Sequence, residues 1–165
     1  MKRLVLLCAM VWASMSFAEE VQPTKVYLLR HAETVDDGTH DPALSDVGET
    51  RAQKWAALLA PESIDMIYST DYKRTQETAQ AIAATREGLT ITSYDPRALN
   101  LEELWAEIVG KTVVIVGHSN TTPLVCNGLL GTEKFEALAH EDYGTLYIVH
   151  CLAEDQASVT ELQLD

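Results

Sequence analysis

Short apolar runs alternate along the chain with stretches whose apolar residues recur at helical spacing. Residues 25–30 (Lys-Val-Tyr-Leu-Leu-Arg) form an apolar run closed by charge, and they predict a first strand. Ser45 suits the N-cap of a helix reaching about Ala60, where Ala52, Trp55, Ala56 and Leu59 share one face. A second strand is predicted at 65–69, a second helix at about 71–84 and a third strand at 89–94. Asn100 caps a helix carrying Leu101, Leu104, Trp105 and Ile108 on one face. Glu103 stands where a capping-box partner would, and Gly110 closes the helix. Residues 112–116 are a continuous β-branched run, the pattern of a central strand buried on both faces. Pro123 fits the first turn of a further helix that stops near Gly131. Residues 145–151 and 158–164 read as two late strands able to pair antiparallel.

Such alternation implies an α/β fold, a three-layer sandwich with a mostly parallel central sheet and helices on both faces. Nothing in the 165 residues repeats, and no Pro- or Gly-rich linker divides them. Residues 19–165 are therefore expected to form a single domain, long enough to bury a substantial core.

Residues 1–18 stand apart. A basic start at Lys2 and Arg3, an apolar run at 4–12 and small residues at Ser16 and Ala18 have the layout of a secretory signal peptide. The apolar run is too short for a spanning helix. Cleavage after Ala18 and a periplasmic or secreted protein are expected, with no membrane span left afterwards. Cys8 would leave with the signal, so Cys126 and Cys151 remain, expected as two buried free thiols rather than a disulfide framework.

Charge narrows the function. The formal net charge is −13, which speaks against nucleic acid as a partner. An acidic chain also repels phosphate, so any phosphate site on it must be locally basic. In open α/β sheets, ligands bind at the carboxyl ends of the strands. There the first strand ends in Arg30-His31-Ala32-Glu33, the second leads through Ser69-Thr70 to Arg74, and the central strand ends in Gly117-His118-Ser119-Asn120. Arg74 falls in a first helical turn, and its side chain leans back toward the strand end. The helix after His118 directs free N–H groups to the same region. Two histidines and two arginines thus make a cationic pocket of the kind phosphoryl transfer needs: an in-line nucleophile, and donors for the equatorial oxygens.

These residues carry a resemblance. Leu28-Leu29-Arg30-His31-Ala32-Glu33 resembles the signature of the histidine phosphatase superfamily (the phosphoglycerate mutase-like fold), with Ala32 where the family usually has glycine. Leu44-Ser45-Asp46-Val47-Gly48, the segment from Tyr68 through Arg74 to Ala79, and Val116-Gly117-His118-Ser119 resemble three further blocks of the family, in its order. The resemblance implies a metal-independent phosphatase, without cofactor, in which His31 accepts the phosphoryl group while Arg30, Arg74 and His118 hold it. Asn120 is an additional candidate for substrate binding. Glu33 is read as bracing its loop, and Ser69 and Thr34 as caps.

The general acid stays open in the sequence. Family members place one after the third strand, where Asp95 is the candidate and a turn residue before Pro96 is the alternative. Glu102 is the next candidate, and a leaving group of low pKa would need no acid at all. His40, His140 and His150 lack metal-ligand spacing, so no metal is expected. Only 44 positions separate Arg74 from His118, room for one strand, one helix and the central strand but for no cap. The site should be open, suiting a phosphorylated small molecule, a glycolipid or a phosphoprotein. It suits less well a phosphomutase, which must shield its intermediate from water. A non-catalytic phosphate-binding protein is the reading from another class.

Overall fold

A computed structural model describes residues 22–153 and 156–165; the expected signal peptide lies outside the described residues. Ten elements follow in order: β1 Thr24–Arg30, α1 Asp46–Leu59, β2 Met66–Thr70, α2 Lys73–Ala83, β3 Ile91–Tyr94, α3 Leu101–Ile108, β4 Thr112–Gly117, α4 Thr121–Leu130, β5 Thr145–Ala153 and β6 Gln156–Gln163. Each expected element is present, with bounds shifted by a few residues. The strands form one sheet in the order β3-β2-β4-β1-β5-β6. The first four are mutually parallel, β5 runs antiparallel to β1, and β6 antiparallel to β5.

Two cores explain why this sheet needs helices on both faces. Successive side chains of a strand point to opposite sides. On one side Val26 and Leu28 of β1 and Val113 and Ile115 of β4 pack with Leu104 and Ile108 of α3 and Val125 and Leu129 of α4. On the other, Tyr27, Leu29, Val114 and Val116 pack with Trp55 and Leu59 of α1 and Ala79 and Ile82 of α2. The run at 112–116 is thus divided between two cores, which is why it carries no polar alternation. Cys126 and Cys151 are buried free thiols in the first core, and burial pushes the Cys126 thiol up to about 12.

Helix ends follow the sequence closely. The Ser45 side chain accepts the Gly48 N–H, and Asn100 accepts those of Glu102 and Glu103. The Glu103 side chain lies against a cavity beside β3 instead of completing a capping box. Among the described residues no helix is long and apolar enough to cross a membrane.

Candidate active site

Register places the two histidines side by side. In the parallel β1–β4 pair, Arg30 lies opposite Gly117, and the ladder continues one step as the His31 N–H donates to the Gly117 carbonyl at 2.9 Å. His31 and His118 are therefore both the first residues past neighbouring strand ends. Their ring centres lie 5.5 Å apart, edge to face. Gly117 has to be small here, because a Cβ on it would come within 2.8 Å of Thr121 Oγ1 and 3.1 Å of Thr122 Oγ1.

His31 is held in one tautomer. Its Nδ1 lies 2.8 Å from the Ala32 carbonyl. A carbonyl only accepts, so Nδ1 carries the hydrogen and Nε2 keeps a free lone pair. The Ala32 N–H in turn donates to Thr78 Oγ1 of α2, which fixes the loop that orients the ring. Burial, reinforced by the positive charges of Arg30 and Arg74, pulls the His31 pKa down to about 3, against the smaller opposing pull of the Ala32 carbonyl. His118 falls to about 4, through burial and then through Arg74 and Arg30. Both rings are neutral at physiological pH.

Arg30 is buried, and its Nη1 donates to the carbonyls of Ala139, His140 and Asp142 at 3.1, 2.9 and 2.9 Å. Its guanidinium also lies 4.0 Å from the ring centre of Tyr143. Its Nε is buried with no partner among the described residues, a cost of about 1–3 kcal/mol. Arg74 lies 4.5 Å from the ring centre of Tyr72, donates from Nη1 to the His40 carbonyl at 3.3 Å and makes a long contact, 3.7 Å, to Asp41.

An open cavity of about 420 Å³ joins His31, Arg74, His118, Asn120 and Thr121 with Tyr72 and Arg97. The expected residues His31, Arg74, His118 and Asn120 thus share one cavity, and Arg30 backs His31. Only the remainder of α2 with β3, α3 and β4 occupy the interval between Arg74 and His118, so no cap covers the site from that segment.

Asp95 does not line this cavity. It faces a separate one of about 240 Å³, and its Oδ1 accepts the Arg97 N–H at 2.9 Å. This is the arrangement of the turn residue that the sequence left as the alternative to an acid. Glu102 also lies apart, beside Leu101 and Trp105. Glu33 braces its loop as expected, through Arg51 at 2.8 and 3.0 Å. The Ser69 hydroxyl is occupied by the Thr70 carbonyl. Sequence reading missed Tyr72, Tyr143, Arg97 and the hydroxyls of Thr70 and Thr75. Of these, Arg97 alone carried a signal, as a basic residue three positions past the end of β3 in an acidic chain.

Comparison with known proteins agrees with this geometry. Residues 26–98 match the histidine phosphatase superfamily (branch 1). Phosphoglycerate mutase-like protein 4 of Arabidopsis thaliana is 36% identical over 95 residues, which are 53% of this chain and 41% of that protein. The match thus spans less than half of that relative's length. Among solved structures, the protein histidine phosphatase SixA in complex with tungstate aligns over 84% of this chain and 96% of its own, with a TM-score of 0.65 at 15% identity. Phosphoglycerate mutase from Bacillus anthracis aligns over 87% and 94%, with a TM-score of 0.66 at 14% identity. A phosphoserine phosphatase mutant from Entamoeba histolytica, solved with phosphoserine, aligns over 83% and 95%, with a TM-score of 0.61 at 20% identity. At these identities the solved structures speak to the fold, which is that of the phosphoglycerate mutase-like proteins. With its sequence blocks in the family order and the match over residues 26–98, the chain is similar to the histidine phosphatase superfamily.

Proposed function

We propose that the protein is an exported phosphatase that hydrolyses a phosphorylated substrate through a phosphohistidine on His31. The observation that carries this reading is the tautomer of His31: Nδ1–H is committed to the Ala32 carbonyl, leaving a neutral Nε2 nucleophile beside Arg30 and Arg74. Nε2 attacks phosphorus, and the bond to the leaving oxygen breaks with its electron pair. The leaving oxygen then takes a proton from water. A second water next attacks phosphorus and gives up a proton, the P–N bond breaks, and its electron pair returns to Nε2. In this scheme Arg74, Arg97 and the N–H groups at the start of α4, which border the cavity, meet the phosphoryl oxygens, with Arg30 behind His31. Phosphate charge is met by arginine in this scheme, so activity is expected to persist in EDTA.

Rapid quench with ³²P-labelled substrate tests the reading. An acid-labile, base-stable label is expected on the wild type and not on His31→Ala, with turnover abolished in that variant. Full activity in His31→Ala, or label on another residue, overturns it. The openness of the site supports a phosphatase over a mutase, since water reaches the phosphoenzyme freely. Export rests on residues 1–18. N-terminal sequencing of protein from a periplasmic extract should find a chain beginning at Glu19.

A further inference from the structure

Behind His118 lies a short chain of hydroxyls that the phosphatase reading does not use. His118 Nε2 is 2.9 Å from Thr70 Oγ1, which is 2.8 Å from Thr75 Oγ1. Thr75 Oγ1 is in turn 2.9 Å from the Thr70 carbonyl and 2.8 Å from the Tyr72 carbonyl. Both threonines are fully buried, so water does not satisfy them.

Counting hydrogens orients this chain. Each hydroxyl has one hydrogen to give. Thr75 faces two carbonyls that can only accept, so its hydrogen goes to them and its oxygen must accept from Thr70. The hydrogen of Thr70 is then spent on Thr75, and Thr70 can only accept from His118. In the reverse orientation Thr75 would donate to Thr70, leaving its oxygen against two carbonyl oxygens at 2.8–2.9 Å with no hydrogen between them. We infer that Thr70 and Thr75 are positioning residues that fix His118 as the Nε2–H tautomer, so that His118 meets substrate through Nδ1.

This assigns the two histidines opposite tautomers. His31 is held by a carbonyl on Nδ1 and reacts at Nε2; His118 is held by a hydroxyl chain on Nε2 and is free at Nδ1. A free Nδ1 can accept a hydrogen from a protonated phosphate oxygen, or take up a proton and then donate to an ionised one. The tautomer itself stands apart from the phosphatase reading, and only its effect on turnover rests on it.

The test is ¹⁵N-resolved NMR of the histidine rings in the ligand-free protein at pH 7, with His118 assigned by its absence in His118→Gln. His118 Nε2 is expected to show a directly bonded hydrogen and Nδ1 none. Thr70→Val should give tautomer-averaged nitrogen shifts for His118 and lower kcat about tenfold, the weight of one ordinary hydrogen bond, with little change in KM. Thr70→Ser, which restores the hydroxyl, should return both readouts. Hydrogen on Nδ1 in the wild type, or His118 shifts unmoved in Thr70→Val, overturns the inference. If the protein turns over no phosphate ester, the NMR outcome still decides the tautomer while the phosphatase reading falls.

Discussion

The guanidinium of Arg30 lies over the ring of Tyr143, 4.0 Å from its centre. This contact joins the end of β1 to the loop before β5, more than a hundred residues later in the chain. Cation–π contact contributes roughly 0.5–2 kcal/mol. It acts here on a guanidinium whose Nη1 is already tied to three carbonyls of the same loop. Tyr143→Leu should therefore raise KM for p-nitrophenyl phosphate roughly two- to thirtyfold, while Tyr143→Phe, which keeps the ring, should stay near the wild type. Equal losses in the two variants would show that the hydroxyl, not the ring, is what matters.

Gly48 tests how the helix α1 entry fixes the catalytic loop. A Cβ there would lie 2.0 Å from the carbonyl oxygen of Glu33, and that carbonyl accepts the Ser45 N–H. Gly48→Ala forces the loop after His31 outward. Overpacking of this kind costs about 1–3 kcal/mol, or a fall in Tm of roughly 2–4 °C per kcal/mol for a domain of this size. The neighbouring Val47 is 62% exposed, and Val47→Ala should leave Tm nearly unchanged. Similar shifts in both variants would remove the steric argument.

Acid should destabilise the fold through the active-site histidines. The folded His31 takes up a proton only near pH 3, whereas its ordinary pKa is 6.5. Below about pH 6.5 the unfolded chain therefore binds a proton that the folded chain excludes. Stability present above that pH is lost as pH falls toward 3, with a slope of up to about 1.4 kcal/mol per pH unit. His118 acts the same way down to about pH 4. Urea midpoints measured between pH 7 and pH 5 should fall less steeply in His31→Gln than in the wild type. Parallel slopes would mean that His31 is not buried in its neutral form.

Periodicity and capping made the fold legible: Ser45, Asn100 and the run at 112–116 each act locally, and each element formed where local rules placed it. That His31, Arg74 and His118 share one cavity was legible because they follow strand ends, and strand ends in a parallel sheet converge. Tyr143 and the carbonyls of Ala139, His140 and Asp142 were not. They reach Arg30 through an irregular loop, and nothing periodic announces such a contact. The Thr70–Thr75 pair was hidden differently, since a buried threonine in a strand or a first helical turn reads as a β-branched core residue or a cap. Asp95 sits close in sequence to the site, but its carboxylate is turned to the Arg97 N–H, a competition between turn and site that spacing alone does not resolve.

That orientation of Asp95 leads to a prediction about substrates. No Asp or Glu is among the described residues lining the cavity with His31 and His118, and Asp95 and Glu102 face other cavities. A positioned general acid contributes roughly 10²–10⁴ in rate, and its help matters most for a leaving group of high pKa. An alkoxide leaving this site must depart with protonation from water alone, whereas a nitrophenolate carries its charge without help. Turnover of p-nitrophenyl phosphate should therefore exceed that of a simple alkyl phosphate by roughly 10²–10⁴ in kcat/KM. Asp95→Asn keeps an oxygen able to accept the Arg97 N–H, so it should change both rates equally and slightly, and Glu102→Gln likewise. The measurement is a series of aryl and alkyl phosphates of graded leaving-group pKa, run on the wild type and both variants. A flat dependence in the wild type that steepens in Asp95→Asn would place the acid at Asp95 after all, because only a proton donor acting on the leaving oxygen produces that change.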